Sequence, residues 1–363
     1  MAVKQTPLFE IHHQRGAKMV DFAGFKMPVQ YAGIIHEHKT VRESVGIFDV
    51  SHMGEFFVEG PDAVRFLQKV TINDVGKLSP TRAQYTAICN DDGGIIDDLI
   101  LYMFSPQRFM IIVNAANIEK DFNWLRHHLL GNVELSDRSH DFGLIAVQGR
   151  NAQPTLQKLT AEPLGELNYY SFTEGNLAGA DAIIARTGYT GEDGFELVIP
   201  ANYAERVWTA VEDAGAEFGI QPAGLGARDT LRMEMKFCLY GNDIDGSTNP
   251  IEAGLGWITK VDKGDFIGRD RILAVKTNGP ERRLVGFKPL ERAVPRQGYK
   301  LLGRGSEIGV VTSGTFSPTL QESIGIGYVK IEFAEIGAEI SVVIRDKEIP
   351  AVVVPTPFYR RDY

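Results

Sequence analysis

The segment at residues 186–196, Arg-Thr-Gly-Tyr-Thr-Gly-Glu-Asp-Gly-Phe-Glu, concentrates the side chains best suited to chemistry. It places three glycines, a tyrosine and three carboxylates between two apolar runs, residues 180–185 and 195–199, that predict strands. Alternation puts Glu196 on the face opposite its apolar neighbours, where a carboxylate is costly to bury unless it is hydrogen-bonded. With Tyr189 as a stacking face, the segment predicts a pocket for a flat, donor-rich ring; a polar hairpin turn is the alternative that these residues leave open.

Two adjacent aspartates, Asp97 and Asp98, lie early in an apolar run, residues 95–103, that predicts a strand. Alternation sends their side chains to opposite and otherwise apolar faces. We therefore expect at least one carboxylate in a partly enclosed space, where burial would alter its pKa; a solvated hairpin end is the alternative. A hydrolase dyad is excluded, because a shared proton needs both carboxylates on one face.

Residues 224–229, Gly-Leu-Gly-Ala-Arg-Asp, lack the third glycine and the preceding strand of a dinucleotide-binding fingerprint. Arg228 then falls in the first turn of a predicted helix, where a cation opposes the macrodipole by roughly 0.3–1 kcal/mol. Either an anionic or polar ligand or a salt bridge to a nearby carboxylate explains it. The tail at residues 355–361, with two prolines, two aromatics and two arginines, either closes over an acidic ligand or finishes the last strand; alone, it favours the second.

Other reactive motifs are absent from the sequence. It has no P-loop, no zinc-binding histidine pair on a helix, no Cys-x-x-Cys and no nucleophile elbow. The histidine pairs at residues 12–13 and 127–128 are predicted at the surface, and His52 alone lies in a motif-like segment. Two cysteines, Cys89 and Cys238, argue against a disulfide framework and fit a reducing compartment.

The composition is that of a globular protein with two or three domains: 363 residues, 44% hydrophobic and 23% charged. No run of 18 apolar residues predicts a membrane span. Residues 1–7 contain no apolar signal core, so we expect a cytoplasmic protein. A net charge of −9 argues against general nucleic-acid binding.

Predicted helices and strands position these residues. Asn90–Gly94 is a strong hairpin signal, Asn114 is a predicted N-cap, and Pro61 suits a first helical turn. From Arg283 onward, short β-rich runs alternate with turns and predict an all-β barrel or sandwich of about 80 residues. The other predicted elements are helices at 33–45, 61–70, 115–129, 203–214 and from 226, and strands at 55–59, 83–89 and 109–113.

Taken in order, the motifs resemble one family along nearly the whole chain: the tetrahydrofolate-dependent aminomethyltransferases, or T-proteins, of the glycine cleavage system. Eight segments in register make the resemblance specific. They are residues 18–22, 48–54, 93–99, 113–117, 186–196, 223–229, 312–319 and 357–360.

The resemblance implies an α+β fold of three domains arranged as a cloverleaf around a central folate channel, ending in a jelly-roll-like barrel. It also implies the reaction: a lipoylated carrier, the H-protein, presents an aminomethyl group, whose methylene passes to tetrahydrofolate with release of ammonia. The expected domains are residues 1–52 with about 138–230, about 53–137 with 231–280, and about 281–363.

The resemblance also assigns residue roles. Glu196 matches the carboxylate that pairs with the pterin edge, Arg228 the arginine of the channel, and Arg360 the one near its mouth, with Arg361 adjacent. Asp98, not Asp97, matches the key aspartate, expected to act electrostatically or, alternatively, as a general base. The remaining lining positions are Met53, Tyr85, Asn114 and Tyr189.

Three groups of relatives fit less well. Flavin-fused demethylating oxidases carry an N-terminal dinucleotide fingerprint that is missing here. A group linked to iron–sulfur proteins and RNA modification has Lys-Gly-Cys-Tyr-x-Gly-Gln-Glu, where residues 263–270 have Asp265 and Arg269 instead of the cysteine and glutamine. Demethylases of sulfur compounds match fewer motifs, and a non-catalytic folate-binding or carrier-docking protein is the further alternative.

The expected ligands are therefore tetrahydrofolate, as co-substrate, and the lipoylated carrier. No metal, flavin, nucleic acid or membrane is expected. Arg292 and Arg296 are candidates for a carrier-docking patch, and Cys238 is a candidate for an oxidisable residue lining the channel.

Overall fold

The computed structural model describes residues 3–363; Met1 and Ala2, part of the segment 1–7 in which no signal core is predicted, lie outside the described residues. The chain forms two compact units. Unit 1 comprises Met1–Leu67, Val75–Tyr85 and Leu99–Asp229, and unit 2 comprises Gln68–Asp74, Thr86–Asp98 and Thr230–Tyr363. The three-domain division at about residues 52, 137, 230 and 280 stays a prediction.

Eight α-helices are found among the described residues. They are α1 (Phe9–Gln14), α2 (Ile34–Glu43), α3 (Ala63–Val70), α4 (Ile118–His127), α5 (Ala152–Gln157), α6 (Ala204–Gly215), α7 (Leu225–Met235) and α8 (Arg269–Asn278).

Strands and helices are interspersed as far as α8, and the six strands after α8 have no α-helix between them. The first nine are β1 (Lys4–Gln5), β2 (Lys18–Phe22), β3 (Phe25–Gln30), β4 (Gly46–Asp49), β5 (Gly54–Glu59), β6 (Arg82–Cys89), β7 (Ile95–Ser105), β8 (Arg108–Val113) and β9 (Glu134–Asp137). Five more are β10 (Phe142–Gln148), β11 (Phe172–Leu177), β12 (Ala180–Ala185), β13 (Gly194–Pro200) and β14 (Gln221–Pro222). The last six are β15 (Arg282–Pro289), β16 (Lys300–Gly303), β17 (Ser306–Ser317), β18 (Glu322–Lys330), β19 (Glu339–Ile344) and β20 (Lys347–Val354).

A six-stranded sheet of unit 1 carries the 186–196 turn. Its order is β11-β12-β13-β10-β4-β14, and the turn connects its neighbouring strands β12 and β13. Phe195, Leu197 and Ile199 of β13 enter the hydrophobic core together with Trp208 of α6. The predicted alternation is confirmed, and it leaves Glu196 on the other face.

The second sheet has the order β6-β7-β8-β5-β9, and the predicted hairpin between β6 and β7 is confirmed. The Asn90 amide donates to the Gly94 carbonyl at 2.9 Å, and the Gly94 amide donates to Asn90 Oδ1 at 2.8 Å. Asp97 is fully buried and Asp98 half-buried. The solvated-end alternative is therefore wrong, and the two aspartates differ in burial as alternation predicts.

The C-terminal strands of unit 2 form a closed barrel in the order β15-β18-β17-β16-β19-β20. Every neighbouring pair is antiparallel. Phe287, Leu301 and Val342 are fully buried in its core. The prediction of a β-barrel beginning near Arg283 is confirmed.

Some local predictions need correction. Asn114 precedes a 3-10 turn, Ala115–Asn117, without a side-chain capping bond, so the α-helix begins only at Ile118. Pro61 lies in the turn before α3 and not in its first helical turn. His12 is fully buried, contrary to its predicted surface position, because it is hydrogen-bonded inside unit 1.

Candidate active site

The 186–196 turn is closed at its neck by an ion pair. Arg186 Nε and Nη2 donate to the two carboxylate oxygens of Asp193 at 2.9 and 2.7 Å. Such a fork-to-fork pair fixes geometry as well as adding energy. Gly191, at the tip, has a φ of +85°, which favours glycine. The turn is therefore a defined structure that presents its central residues in one geometry.

Glu196 is the buried carboxylate of this turn, with an exposed fraction of 8%. Thr187 Oγ1 donates to its Oε2 at 2.6 Å, which supplies the hydrogen bond that burial demands. The Tyr102 hydroxyl lies 3.4 Å from the same Thr187 oxygen. Among the described residues, Thr187 is the donor to Glu196, so Oε1 remains available to accept from a ligand.

Gln148, the last residue of β10, lies against the turn and is 1% exposed. Its Nε2 donates to the Thr187 carbonyl at 3.0 Å, and Thr190 Oγ1 donates to its Oε1 at 2.7 Å. A Cβ at Gly188 would stand 2.0 Å from that Oε1, and a Cβ at Gly194 would stand 2.5 Å from the Nε2. Two of the three glycines are thus explained by a protein side chain, and the prediction that they admit a ligand receives no support from these contacts.

A buried ion pair holds the far side of the turn. Arg42 of α2 donates from Nη1 to Glu192 Oε1 at 2.8 Å and to the Thr190 carbonyl at 2.6 Å. Both side chains are at most 5% exposed. Because a lone buried charge is costly, each partner depends on the other.

Tyr189 and Arg228 are brought together. The guanidinium carbon of Arg228, on α7, lies 4.7 Å from the centre of the Tyr189 ring, a cation–π distance. Both side chains are half-buried. One face of the predicted stacking ring is therefore occupied by the arginine, which explains the placement of Arg228 near the start of the helix better than helix preference does.

His52 lies near the same arginine. It is 2% exposed, its ring meets that of Phe22 edge-on at 5.5 Å, and its Nδ1 has no hydrogen-bond partner among the described residues. Burial, and then the charge of Arg228, lower its pKa to about 4, while Asp49 opposes the shift. The imidazole is neutral at physiological pH.

Met53 and Asn114 flank one pair of neighbouring strands. Gly54 of β5 pairs with Val113 of β8, and the two site residues directly precede and follow that pair. Both are half-buried, as is Tyr85 on β6. Met53 also lines a cavity of about 390 Å³. Partial exposure leaves these three side chains open to contact with a ligand.

A buried network centred on Asp49 was missed by the sequence analysis. Its Oδ2 accepts from His12 at 2.9 Å and from the Thr6 hydroxyl at 2.7 Å, and its Oδ1 accepts from the Ser51 amide at 2.8 Å. The Tyr31 hydroxyl bonds the other nitrogen of His12 at 2.8 Å. Burial alone would raise the pKa of Asp49, but the bonds from His12 and Ser51 outweigh it and hold that pKa below its usual range.

Glu55 was missed too. It is 1% exposed, and neither carboxylate oxygen has a hydrogen-bond partner among the described residues. Burial, with a smaller contribution from Asp137, raises its pKa well above the usual value. The position directly after Gly54 in the 48–54 motif was the available signal, because a glutamate in an apolar strand is unusual.

In unit 2, Asp98 lies on β7 two residues before Ile100, half-buried. The nearby Cys238 is buried, which raises its thiol pKa to about 12, with Asp243 and Asp98 among the smaller contributors. Little thiolate forms at neutral pH, which argues against ready oxidation.

The 312–319 motif and the tail share an anchor, the buried Glu234 at the end of α7. Its carboxylate accepts from the hydroxyls of Ser317 and Thr319, and its carbonyl accepts from the Phe358 and Tyr359 amides at 2.8 and 3.1 Å. These bonds tie the end of the motif and the tail to α7. The tail folds back after β20 instead of extending that strand, and it leaves Arg360 exposed.

Within unit 1, the structure thus links Tyr189, Glu196 and Arg228 through the turn, and it places Met53 and Asn114 side by side. Asp98 and Arg360 belong to unit 2. Among the described residues, no group of three or more His, Cys, Asp or Glu side chains is placed to hold a metal ion. No helix in residues 3–363 has the length and apolar character to cross a bilayer.

The chain matches two family models. One, the GCVT N-terminal domain, covers residues 8–263, and the other, the glycine cleavage T-protein C-terminal barrel domain, covers residues 282–360. The second match coincides with the closed barrel.

Curated relatives and a solved structure match along the whole chain. Aminomethyltransferases of Halothermothrix orenii and Bacteroides thetaiotaomicron are 51% and 54% identical, each over 98% of this chain and 100% and 99% of their own lengths. The crystal structure of glycine cleavage system aminomethyltransferase T from Bartonella henselae is 37% identical, with a TM-score of 0.93 over 99% of both chains. The chain belongs to the glycine cleavage T-protein family.

Proposed function

We propose that this protein is an aminomethyltransferase that moves the methylene of an aminomethyl group from the dihydrolipoyl arm of a carrier protein to tetrahydrofolate. The products are ammonia, 5,10-methylenetetrahydrofolate and the dithiol arm. The observation that carries this proposal is the identity of 51–54% to aminomethyltransferases over 98% of the chain.

Glu196 is proposed to bind the pterin edge. Its Oε2 is held by Thr187 at 2.6 Å, so the carboxylate is oriented before a ligand arrives. A pterin presents adjacent N–H donors, and a charged acceptor makes such bonds about twice as strong as a neutral one does. Preorganisation of this kind raises affinity because less side-chain freedom is lost on binding.

Arg228 and Tyr189 are proposed to form a wall of the folate site. Their cation–π contact at 4.7 Å fixes both side chains, and Arg228 brings a positive charge to an anionic substrate. Arg360 is proposed to meet the folate glutamyl tail or the lipoyl arm, in keeping with its exposure. Met53, Tyr85 and Asn114 complete the proposed lining.

Asp98 is proposed as the catalytic carboxylate. As ammonia leaves, positive charge develops on the methylene, and a fixed anion stabilises that charge. N5 of tetrahydrofolate is already a nucleophile, so the carboxylate acts electrostatically and not as a base. Positioning of the reactants supplies several more kcal/mol of barrier reduction, of the roughly 7–11 kcal/mol that ideal orientation can give.

The proposal also covers the partners, the compartment and the domain architecture. The partners are tetrahydrofolate and a lipoylated carrier, which docks at Arg292 and Arg296; both arginines are exposed. The compartment is the cytoplasm, in agreement with two free, buried cysteines. The three-domain division around a folate channel is the architecture that the family membership supports.

The test is ammonia release from an aminomethylated lipoyl carrier with and without tetrahydrofolate. We expect strong acceleration by the folate and one methylenetetrahydrofolate formed per ammonia. Tight folate binding without acceleration would support a binding protein instead, and turnover of only a methylated sulfur donor would support a demethylase.

A further inference from the structure

We infer that Gln148 is a positioning residue for folate binding, acting through the 186–196 turn. The inference rests on the proposed function, because it assumes that Glu196 and Tyr189 contact the folate. It assigns a task to a buried carboxamide that belongs to none of the predicted site positions.

Gln148 is hydrogen-bonded to two residues of the turn. Its carboxamide bonds the Thr187 carbonyl at 3.0 Å and the Thr190 hydroxyl at 2.7 Å. These two residues enclose Gly188 and Tyr189 in the sequence. The carboxamide therefore links the backbone carbonyl before Tyr189 to the side-chain hydroxyl after it, and so restricts where the tyrosine ring can lie.

Gln148 is also connected to the Glu196 carboxylate through Thr187. Thr187 is held through its carbonyl by Gln148, and its hydroxyl donates to Glu196 Oε2 at 2.6 Å. Movement of Thr187 would therefore move the hydroxyl that orients Glu196. One side chain thus governs both the ring and the carboxylate.

The Gln148 side chain packs closely against two glycines of the turn. A Cβ at Gly188 or Gly194 would lie within 2.5 Å of the carboxamide. Glycine is needed at both positions for the side chain to fit, although a glycine loses more conformational entropy on folding than any other residue.

The alternative is a purely structural role, and the two roles differ in what they change. Loss of folding support alone lowers the melting temperature and leaves the properties of the folded enzyme intact. Loss of positioning raises the KM for tetrahydrofolate, because the site must then be ordered when the folate binds.

The test compares Gln148→Met with Gln157→Met. Gln157 is a matched control in unit 1: its carboxamide donates to the Thr160 and Glu162 carbonyls at 3.2 and 2.8 Å and accepts from the Leu164 amide at 3.0 Å. No residue of the proposed site takes part in those bonds. Both variants are assayed well below their melting temperatures.

We expect Gln148→Met to raise the KM for tetrahydrofolate and the Kd for 5-formyltetrahydrofolate about tenfold. The kcat at saturating folate and the KM for the carrier should change less than threefold, and Gln157→Met should leave all four values within twofold. An unchanged KM and Kd in folded Gln148→Met would overturn the inference, as would an equal rise in Gln157→Met.

A second variant keeps the inference testable if Gln148→Met fails to fold. Thr190→Val removes the hydroxyl that bonds Gln148 and retains nearly the same volume, and we expect about a threefold rise in the folate Kd. Values within experimental error of the wild type would overturn the inference. The Kd measurement needs no turnover, so it stays separate from the ammonia assay that tests the proposed function.

Discussion

Two segments of unit 1 bury polar side chains to the same extent but differ in how they are satisfied. In the 186–196 turn, Glu192 and Glu196 each have a partner at hydrogen-bond distance. In the segment 49–55, Asp49 is equally well bonded, whereas His52 Nδ1 and both oxygens of Glu55 have no partner among the described residues. A buried polar group without a partner loses its hydration without compensation.

Because their buried polar groups differ in hydrogen bonding, the two segments contribute differently to the protein. Each buried glutamate of the turn accepts a hydrogen bond, Glu192 from Arg42 and Glu196 from Thr187, which suits a site that binds a ligand in one geometry. The segment 49–55 buries His52 and Glu55, and this burial lowers the pKa of His52 to about 4 and raises the pKa of Glu55 well above its usual value. It places Met53 between two groups that lower the stability of the fold.

The largest effect is expected from breaking the buried pair of the turn. Arg42→Met removes the guanidinium that donates to the buried Glu192 carboxylate, and we expect the free energy of unfolding to fall by roughly 3–5 kcal/mol. The double variant Arg42→Met/Glu192→Met should recover most of the loss, because it removes both charges. Urea unfolding of the three proteins checks this, and equal stability of single and double variants would show that the pair is not coupled.

We expect protonation of His52 to lower the free energy of unfolding by about 3 kcal/mol as the pH falls. Its folded pKa of about 4 lies below the unfolded value of 6.5, so the unfolded chain takes up a proton first as the pH falls. Stability is therefore lost between pH 6.5 and pH 4, by about 1.4 kcal/mol per unit.

The measurement is urea unfolding from pH 7.5 to pH 4.5 in wild type, His52→Gln and His13→Gln. Asp49 and Arg228 are the charged groups that act on His52, and they are unchanged in each variant. The stability advantage of wild type over His52→Gln should shrink as the pH falls. His13 is exposed, so His13→Gln should follow the wild type. Parallel curves for all three proteins would contradict the assignment.

Glu55→Gln should raise the free energy of unfolding at pH 8, because burial raises the pKa of the Glu55 carboxyl in the folded protein. The unfolded chain gives up this proton more readily than the folded protein as the pH rises, so the wild type loses stability above about pH 4.5. Glutamine removes this loss, and the gain should shrink toward pH 5. Thermal unfolding at both pH values checks it; a lower melting temperature at pH 8 would mean that Glu55 has a partner in solution.

Activity should respond to a different residue. Asp98→Asn is expected to lower turnover at least tenfold, about 1.4 kcal/mol of barrier, with folate affinity largely retained, because the amide lacks the charge that stabilises the developing cation. Steady-state ammonia release and folate binding measured on the same preparation check this. Unchanged turnover would exclude Asp98 from the catalytic step.

Local patterns predicted the strands, the barrel and the placement of Glu196 and Asp97, because alternation and turn residues are short-range signals. The family was predicted from eight segments and is confirmed. Gln148 and His12 were not found, since their partners lie 39 and 37 residues away and no local period records such pairs. The glycines of the turn were recognised, but their reason, close contact with Gln148, is a tertiary one.

Glu196, whose carboxylate accepts a hydrogen bond from Thr187, is expected to bind the folate, whereas Glu55, whose carboxylate oxygens have no hydrogen-bond partner among the described residues, is not. Equilibrium binding of tetrahydrofolate to the matched variants Glu196→Gln and Glu55→Gln tests it most directly. We predict at least a tenfold rise in Kd for Glu196→Gln and a change of less than twofold for Glu55→Gln. Wild-type affinity in Glu196→Gln would contradict the account.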